Sequence, residues 1–208
     1  DPENYVACEI GLKSRAGKWI SEASYYYTMI DNMIVRTPTG NEIDGNIEVT
    51  KKNSGDGYVQ GLELSETCLF TPEWSAWVSA SWMDGEVDTY PTSDAEKERD
   101  TISRLMPPTA QVGARWQLES GKYWAEAVSD MAVKADKLSA DDQRDTQRIP
   151  PGGTPGYAVF HVRAGTQLTK HLQLSLALEN IFDEDYRIHG SGVNEPGRNL
   201  IFMANCTF

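Results

Sequence analysis

The stretch that decides the fold is the last quarter of the chain, residues 155–208, which reads PGYAVFHVRAGTQLTKHLQLSLALENIFDEDYRIHGSGVNEPGRNLIFMANCTF. Within it, residues 172–178 carry a leucine at every second position, with glutamine, serine and alanine between them. Successive side chains of a β-strand point to opposite faces, so this period of two predicts a strand with one apolar face. The last nine residues repeat the alternation and end on Phe208. The end of the chain is therefore predicted to be β-structure with one apolar and one polar face.

The same alternation recurs along the chain and predicts nine strands. They cover residues 4–13, 18–30, 58–69, 74–84, 109–118, 122–134, 157–168, 171–181 and 200–208. Four short turns alternate with four long loops at residues 31–57, 85–106, 135–156 and 182–197. Loops this long are uncommon inside compact domains. Outer-membrane barrels place long loops at the external end of an antiparallel sheet and short turns at the periplasmic end. We predict an all-β, antiparallel up-and-down meander of about nine strands, part of a large transmembrane β-barrel.

Several motifs resemble the C-terminal end of the TonB-dependent outer-membrane receptors. They are Pro-Gly-Tyr at 155–157, Glu-Asn-Ile-Phe-Asp at 179–183 followed by Tyr186, Glu-Pro-Gly-Arg at 195–198, and the terminal Phe208. The barrels of this family close with about 22 strands around a plugged lumen. The resemblance implies that residues 1–208 are one C-terminal barrel segment, without the plug domain and the earlier strands. It also implies that the last strand, with Phe202 and Phe208, carries the signal read by the outer-membrane assembly machinery.

The resemblance implies transport rather than catalysis. A receptor of the siderophore and iron type would import a scarce metal chelate, such as a ferric siderophore or haem, across the outer membrane of a Gram-negative-type cell. The implied partners are the remainder of the barrel, the plug, the TonB complex reached through the missing N-terminal part, the outer-membrane lipid and the small-molecule chelate. Catalytic motifs are absent from the sequence, so we expect no catalytic residues, no cofactor and no resident metal.

A second hypothesis is a β-sheet scaffold or binding subunit that does not transport. Such a subunit would have kept the receptor-like sheet and would pair its open edges with other chains, because unpaired edges do not persist in water or lipid. Some apolar faces are rich in alanines such as Ala125 and Ala127, which transfer less apolar area than leucine; a barrel tolerates such faces, and a soluble relative would carry them too. A plug domain upstream in the same protein would favour transport, and its absence would favour the scaffold.

Composition narrows the classes of partner. The formal net charge of −12 argues against nucleic acid, because binding phosphates requires a basic surface. The three cysteines are far apart and lack the CxxC spacing of zinc and redox sites, so we interpret them as small apolar residues. The sequence contains no run of about 20 apolar residues, so no membrane-spanning helix is expected.

The candidate ligand-binding residues lie in the last long loop. Tyr186, Arg187, His189 and Arg198 combine aromatic and cationic groups that could hold an anionic chelate by stacking and charge-assisted hydrogen bonds. The alternative is structural: Tyr186 belongs to an aromatic girdle, and Arg198 braces the loop together with Glu195. Another candidate, His161, lies on the same strand face as Arg163, where a polar pair facing the lumen is the simpler interpretation.

Overall fold

The computed structural model describes residues 2–92 and 94–207. These residues form ten strands and one short helix. In chain order they are β1 (Asn4–Ala16), β2 (Trp19–Ile43), β3 (Asn46–Leu69), β4 (Trp74–Thr89), β5 (Glu98–Thr101), β6 (Thr109–Gln117), β7 (Tyr123–Ala132), α1 (Ala140–Arg144), β8 (Tyr157–Thr169), β9 (Leu172–Glu179) and β10 (Asn199–Cys206). No helix in this part of the chain is long and apolar enough to cross a membrane.

All ten strands belong to one antiparallel sheet, and nine of them follow each other as neighbours in chain order, with β1 and β10 at the two edges. The short β5 pairs with the end of β4 that lies nearest the long loops and is not part of this row of nine strands. The predicted up-and-down meander of about nine strands is therefore confirmed. The tenth strand, β5, and the helix α1 lie in segments that were predicted to be loops.

The predicted loop at residues 31–57 is wrong. Most of this segment continues β2 and β3, which stay paired as far as Ile43 and Asn46 and turn at Asp44 and Gly45. Asp44 and Gly45 both have positive φ angles, of 49° and 77°, as a tight hairpin turn requires. The ladder shifts its register beyond Ile30, so the hairpin is irregular as well as long.

The register gives the sheet one apolar and one polar face. Residues directly opposite each other in an antiparallel pair share a face. One row across six strands contains a tryptophan on β4 and β6, alanines on β7 and β8, a leucine on β9 and Phe202 on β10: Trp74, Trp116, Ala125, Ala164, Leu176 and Phe202. This apolar face is open, with Phe202 67% exposed. Glu66 departs from the pattern, since it lies on the apolar face of β3 opposite Val78.

Aromatic residues border the apolar face at two levels. Near the short turns they are Trp19, Trp74, Trp116 and Tyr123, and nearer the long loops they are Tyr25, Tyr27, Tyr58 and Trp82. Trp74 and Trp82 lie eight residues apart on β4, which is about 26 Å along a strand. A strand tilt of about 40° reduces this to about 20 Å across the sheet, close to the apolar band of about 25 Å in outer-membrane barrels.

Aromatic rings cover three glycines on the polar face. A Cβ atom added to Gly113 would lie 2.1 Å from the ring of Trp77, so no side chain fits beneath the indole. Tyr26 covers Gly61 and Trp124 covers Gly165 in the same way. Each ring lies on the strand paired with its glycine, so these contacts join β2 to β3, β4 to β6 and β7 to β8.

The most completely buried side chains lie at the long-loop end. Ile149 and Val159 are each 1% exposed, and Leu105 and Ala135 are also buried. All three cysteines are free: Cys8 and Cys206 are exposed, and Cys68 is buried. Phe202 lies within β10 on the apolar face, whereas Phe208, the other half of the predicted assembly signal, lies outside the described residues.

Candidate functional site

A buried carboxylate ties two of the long connections together. Asp142 of α1 is 1% exposed and accepts hydrogen bonds from the Ser103 hydroxyl at 2.7 Å and from the backbone N–H of Arg104 at 3.0 Å. It also accepts the backbone N–H of Ser139 at 3.1 Å, and the Ser139 hydroxyl accepts from the Asp142 N–H. This reciprocal pair is a capping box. The helix start is thereby fixed to residues 103–104, which precede β6.

The last long loop joins the same assembly through Arg104 and His189. The stem of Arg104 packs on Gly190, and its guanidinium pairs with Asp145 at 3.2 Å. His189 Nδ1 is 2.9 Å from the Thr154 hydroxyl, and its Nε2 is buried without a hydrogen-bond partner in the described chain. Burial, together with the charge of Arg104, lowers the pKa of His189, while Asp142 opposes the shift. Three connections therefore form one interlocked unit.

The four predicted ligand-binding residues do not converge on one point. Arg187 holds the side chain of Asn194 through two bonds of 2.8 and 2.6 Å. His189 is buried in the loop assembly. Arg198 donates from Nε to the Ile181 carbonyl at 2.9 Å and from its backbone N–H to Asp183 at 2.7 Å, so it braces the loop. Only Tyr186 reaches the cavity described next.

A cavity of about 700 Å³ lies on the polar face and is lined by residues of seven strands, β1–β4 and β6–β8. Residues so far apart in the sheet line one space because the sheet curves toward its polar side. Tyr186 and Ile188 of the last loop also line the cavity. Its wall carries four carboxylates, one lysine and several hydroxyls. The charged members are Glu9, Glu22, Glu63, Asp130 and Lys13.

Asp130 lies at the loop end of this cavity, two residues before the end of β7 at Ala132. Gln111 donates a hydrogen bond of 2.7 Å to its Oδ1. His161 Nε2 is 3.2 Å from the other carboxylate oxygen, within ion-pair distance, but it is not aligned for a hydrogen bond. The backbone N–H of Asn180 donates to His161 Nδ1 at 3.3 Å, which leaves the ring proton on Nε2. The buried imidazole therefore faces a carboxylate that keeps free acceptor capacity.

Two tyrosines stand beside Asp130. The rings of Tyr157 and Tyr186 are 4.6 Å apart and tilted by 50°. Burial raises the pKa of the Tyr186 phenol, and the carboxylates of Glu195 and Asp130 raise it further, so the phenol is neutral at physiological pH. Nearby, the hydroxyls of Ser81 and Thr109 are 2.8 Å apart.

Toward the short turns, the polar face carries a row of alternating charges. Arg115 pairs with Glu126 at 3.2 Å, and Arg163 lies 3.8 Å from Glu126 and 3.2 Å from Glu179. The Arg115 guanidinium also lies 4.4 Å from the centre of the Trp124 ring. This network crosses β6, β7, β8 and β9. Within the described ranges, no three His, Cys, Asp or Glu side chains are grouped so that they could hold a metal ion.

A family model, described as the β-barrel of TonB-dependent receptor-like proteins, matches residues 1–181. The chain belongs to this family. The homologues of the chain in this family are transport receptors and not enzymes, and they are outer-membrane β-barrels. The sheet seen here is an unclosed part of such a barrel.

Individual relatives agree with the family. The catecholate siderophore receptor Fiu of Escherichia coli strain K12 is 27% identical over 185 residues, which are 84% of this chain and 23% of Fiu. Among solved structures, the copper transporter OprC matches with a TM-score of 0.77 over 100% of this chain and 32% of its own, at 19% identity. The FrpB iron transporter from Neisseria meningitidis matches with a TM-score of 0.77 over 99% of this chain and 31% of its own, also at 19% identity.

The solved structures and the curated relative support different conclusions. The two structural matches are below 25% identity and show the fold alone. The chain spans about a quarter of the length of its curated relative, since it covers 23% of Fiu. Membership of the receptor barrel family therefore rests on the family model, which matches residues 1–181.

Sequence reasoning missed the grouping of Asp130 with Tyr157 and Tyr186. The period of two placed Asp130 on the polar face of its strand together with Trp124 and Glu126. No local signal showed that a loop residue 56 positions later would reach the same cavity. That information resides in long-range pairing, which a single sequence does not display.

Proposed function

We propose that this chain is the C-terminal part of the barrel of an outer-membrane receptor that imports a scarce metal chelate in a TonB-dependent way. The observation that carries the proposal is the two-faced sheet, whose apolar face is bordered by aromatic residues at two levels. Such borders are typical of barrels that meet lipid between two polar interfaces. Residues 1–208 would supply wall and external loops, and the plug and earlier strands would complete the receptor.

The nature of the cargo is proposed from the relatives. Fiu is named for catecholate siderophores, OprC for copper and FrpB for iron. A metal or metal chelate is the cargo class these three names share. We propose that Tyr186 contacts the cargo, while Arg187, His189 and Arg198 shape the loop that carries it.

We propose three partners in the membrane: the outer-membrane lipid, the assembly machinery and TonB. Outer-membrane lipid would contact the apolar face between the aromatic borders. The last strand, with Phe202 on that face, would be read by the assembly machinery, as the resemblance implied. TonB would act through the plug, which is joined to the barrel outside this chain.

The transport proposal is tested by uptake of radiolabelled ferric chelates into iron-starved cells that carry or lack the full-length gene. We expect uptake only with the gene, and we expect it to stop when TonB is deleted. The same cells expressing the protein without residues 184–195, which keeps a turn between the paired Glu179 and Asn199, serve as a matched control for assembly in the membrane. Failure of the gene to support TonB-dependent uptake of any metal chelate overturns the proposal.

The orientation of the barrel, with its long loops outside the cell, is tested with single cysteines in a background that lacks Cys8, Cys68 and Cys206. A cysteine replacing Glu42 lies near the tip of the β2–β3 hairpin, and one replacing Lys170 lies in the short β8–β9 turn. A maleimide that does not cross membranes should label the first and not the second in intact cells. Equal labelling of both contradicts the assigned orientation.

The scaffold hypothesis predicts a different outcome. The edges β1 and β10 have no neighbour in the described sheet. In a receptor they pair with other strands of the same barrel, and in a scaffold they pair with other proteins. A soluble product of about this chain's size, isolated with a partner along those edges, would support the scaffold and exclude the transporter.

A further inference from the structure

Two arginines from different connections lie over the last long loop at two of its glycines. The stem of Arg104 packs on Gly190, and the stem of Arg148, which follows α1, packs on Gly192. A Cβ added to either glycine would lie 3.1 Å from the arginine stem, and both glycines have positive φ angles, of 76° and 78°. Both guanidinium groups bind the carboxylate of Asp145, at 3.2 Å and 3.1 Å. The middle of the loop is therefore held against the two other connections.

His189 directly precedes the first of these glycines and is 6% exposed. Its Nδ1 is 2.9 Å from the Thr154 hydroxyl, and its Nε2 is buried without a hydrogen-bond partner in the described chain. The Thr154 hydroxyl serves the neutral ring as donor or acceptor, depending on the tautomer. The protonated ring would instead carry two N–H groups, one of them without an acceptor, and a buried positive charge. The docked loop therefore favours neutral imidazole over imidazolium.

The charged groups around His189 do not compensate for a proton on its ring. Burial lowers the pKa of His189, and the charge of Arg104 lowers it further. Asp142 opposes this shift, but its carboxylate already accepts hydrogen bonds from three other residues. Asp145, the nearest other carboxylate of the assembly, is bound by Arg104 and Arg148. A proton on the ring therefore adds a positive charge beside guanidinium groups whose carboxylates are already engaged.

The same loop forms part of the cavity wall on the polar face. Tyr186 and Ile188, just before His189, both line that cavity. Backbone hydrogen bonds inside the loop run from Ser191 to Ile188 and from Glu195 to Tyr186. These bonds preserve the shape of the loop when its outer contacts break, so the loop docks and undocks as one piece. The position of His189 thus determines whether the two wall residues reach the cavity.

We propose that His189 and the two arginine stems form a latch that holds the last loop against the cavity at neutral pH and releases it on acidification. The latch adds regulation to the cavity that the proposed uptake function assigns to the cargo, and it rests on that function for this consequence alone. A protonated ring leaves its buried place to reach water, and Tyr186 and Ile188 leave the cavity wall with it. Release of one proton-binding group shifts the equilibrium by at most about tenfold per pH unit.

The test measures the distance between the last loop and the segment after α1 by double electron–electron resonance. The full-length receptor in lipid nanodiscs, without cargo and without native cysteines, carries spin labels on Val193→Cys and Thr146→Cys, two exposed positions. We expect one narrow distance at pH 7.5 and a second, longer distance at pH 5.0. The share of the longer distance should rise at least about threefold and at most about thirtyfold, the ceiling for one proton between pH 6.5 and 5.0.

Two histidine variants separate the latch from other effects of acid. His189→Asn removes the titrating group and keeps a polar side chain, so it should hold the narrow distance at both pH values. His171→Asn is the control, because His171 is an exposed histidine in the short β8–β9 turn, with its Nδ1 2.9 Å from the Thr207 carbonyl oxygen. This variant should keep the full response to pH.

Three results overturn the proposal. The first is a single unchanged distance at both pH values in the protein with native His189. The second is a response that persists in His189→Asn, which would place the titrating group elsewhere, for example at Asp142. The third is the longer distance in His189→Asn at both pH values, which would assign the ring to packing alone. Because no cargo is present, these outcomes concern only the latch, whereas the absence of TonB-dependent uptake removes the proposed function itself.

Discussion

Replacing Asp142 with alanine should release the external loops from one another while leaving the sheet intact. The carboxylate is 1% exposed and accepts from Ser103, Arg104 and Ser139. A hydrogen bond to a charged group contributes about 1.5–3 kcal/mol, and removing the acceptor leaves buried donors unsatisfied. The three bonds are not additive, and Ser103 and Arg104 regain some water. We therefore expect the free energy of local opening to fall by about 3 kcal/mol.

That loss converts to a rate that can be measured. About 3 kcal/mol corresponds to a rise of roughly 100-fold in the open population. Amide hydrogen exchange of the full-length protein in nanodiscs should therefore accelerate by about that factor at residues 103–105 and 139–145. Exchange in β6 and β7 should not change, because their ladder bonds do not involve Asp142.

The neighbouring residue provides the control. Asp141 is in the same turn of α1, but its side chain is 64% exposed and pairs only with Arg144 among the contacts described. Exposed pairs of this kind contribute little. Asp141→Ala should therefore alter exchange by less than about threefold. Equal effects of the two substitutions, or no effect of Asp142→Ala, would refute the account of a buried carboxylate that joins the loops.

Three further predictions concern the polar face and the last loop. Gly113→Ala should destabilise the barrel by about 1–3 kcal/mol in urea, because its Cβ would lie 2.1 Å from the Trp77 ring, while Gly11→Ala, with 3.6 Å of room, should be neutral. Glu126→Gln should lower the same urea midpoint, with a loss of about 2 kcal/mol, since its carboxylate serves two arginines. The pKa of His189 is lowered in the folded loop, so the unfolded loop binds more protons. The contribution of neutral His189 to the stability of the loop is therefore complete above pH 6.5, the ordinary pKa of histidine. It is lost as the pH falls through the lowered pKa that His189 has in the folded loop. The protection factors of the amides of residues 186–192, which correct for the pH dependence of intrinsic exchange, should fall between pH 7 and 5, and His189→Asn should remove that dependence.

Much of the sheet could be predicted because its strands are two-faced. Register constrains every second residue to the same environment, and that constraint appears directly in the sequence. The failure at residues 31–57 has a specific cause. Glycine is typical of turns, but Gly55 and Gly57 are strand residues that allow close backbone approach. A Cβ at Gly57 would lie 2.2 Å from the Glu86 carbonyl oxygen, and one at Gly55 would lie 2.8 Å from Val35.

The candidate site was harder to predict because its parts come from separate segments. Tyr186, Arg187 and His189 are close in sequence, and that closeness suggested one ligand site. In the structure Tyr186 lines the cavity, Arg187 binds Asn194, and His189 is buried. Closeness along an irregular loop does not bring side chains to one point, whereas the pairing of β7 with β8 brings Asp130 near Tyr157.

The alanine-rich part of the apolar face fits a membrane wall despite its small side chains. One row across four strands has large residues at its ends and two alanines between them: Leu64, Ala80, Ala110 and Met131. Burial of apolar area scales with size, so these alanines gain less from lipid than leucines would. In the proposed outer-membrane barrel, the aromatic borders at both ends would set the depth of the sheet instead, because indole and phenol rings prefer the interface. The two borders would then position the face, and the residues between them would need only to be apolar.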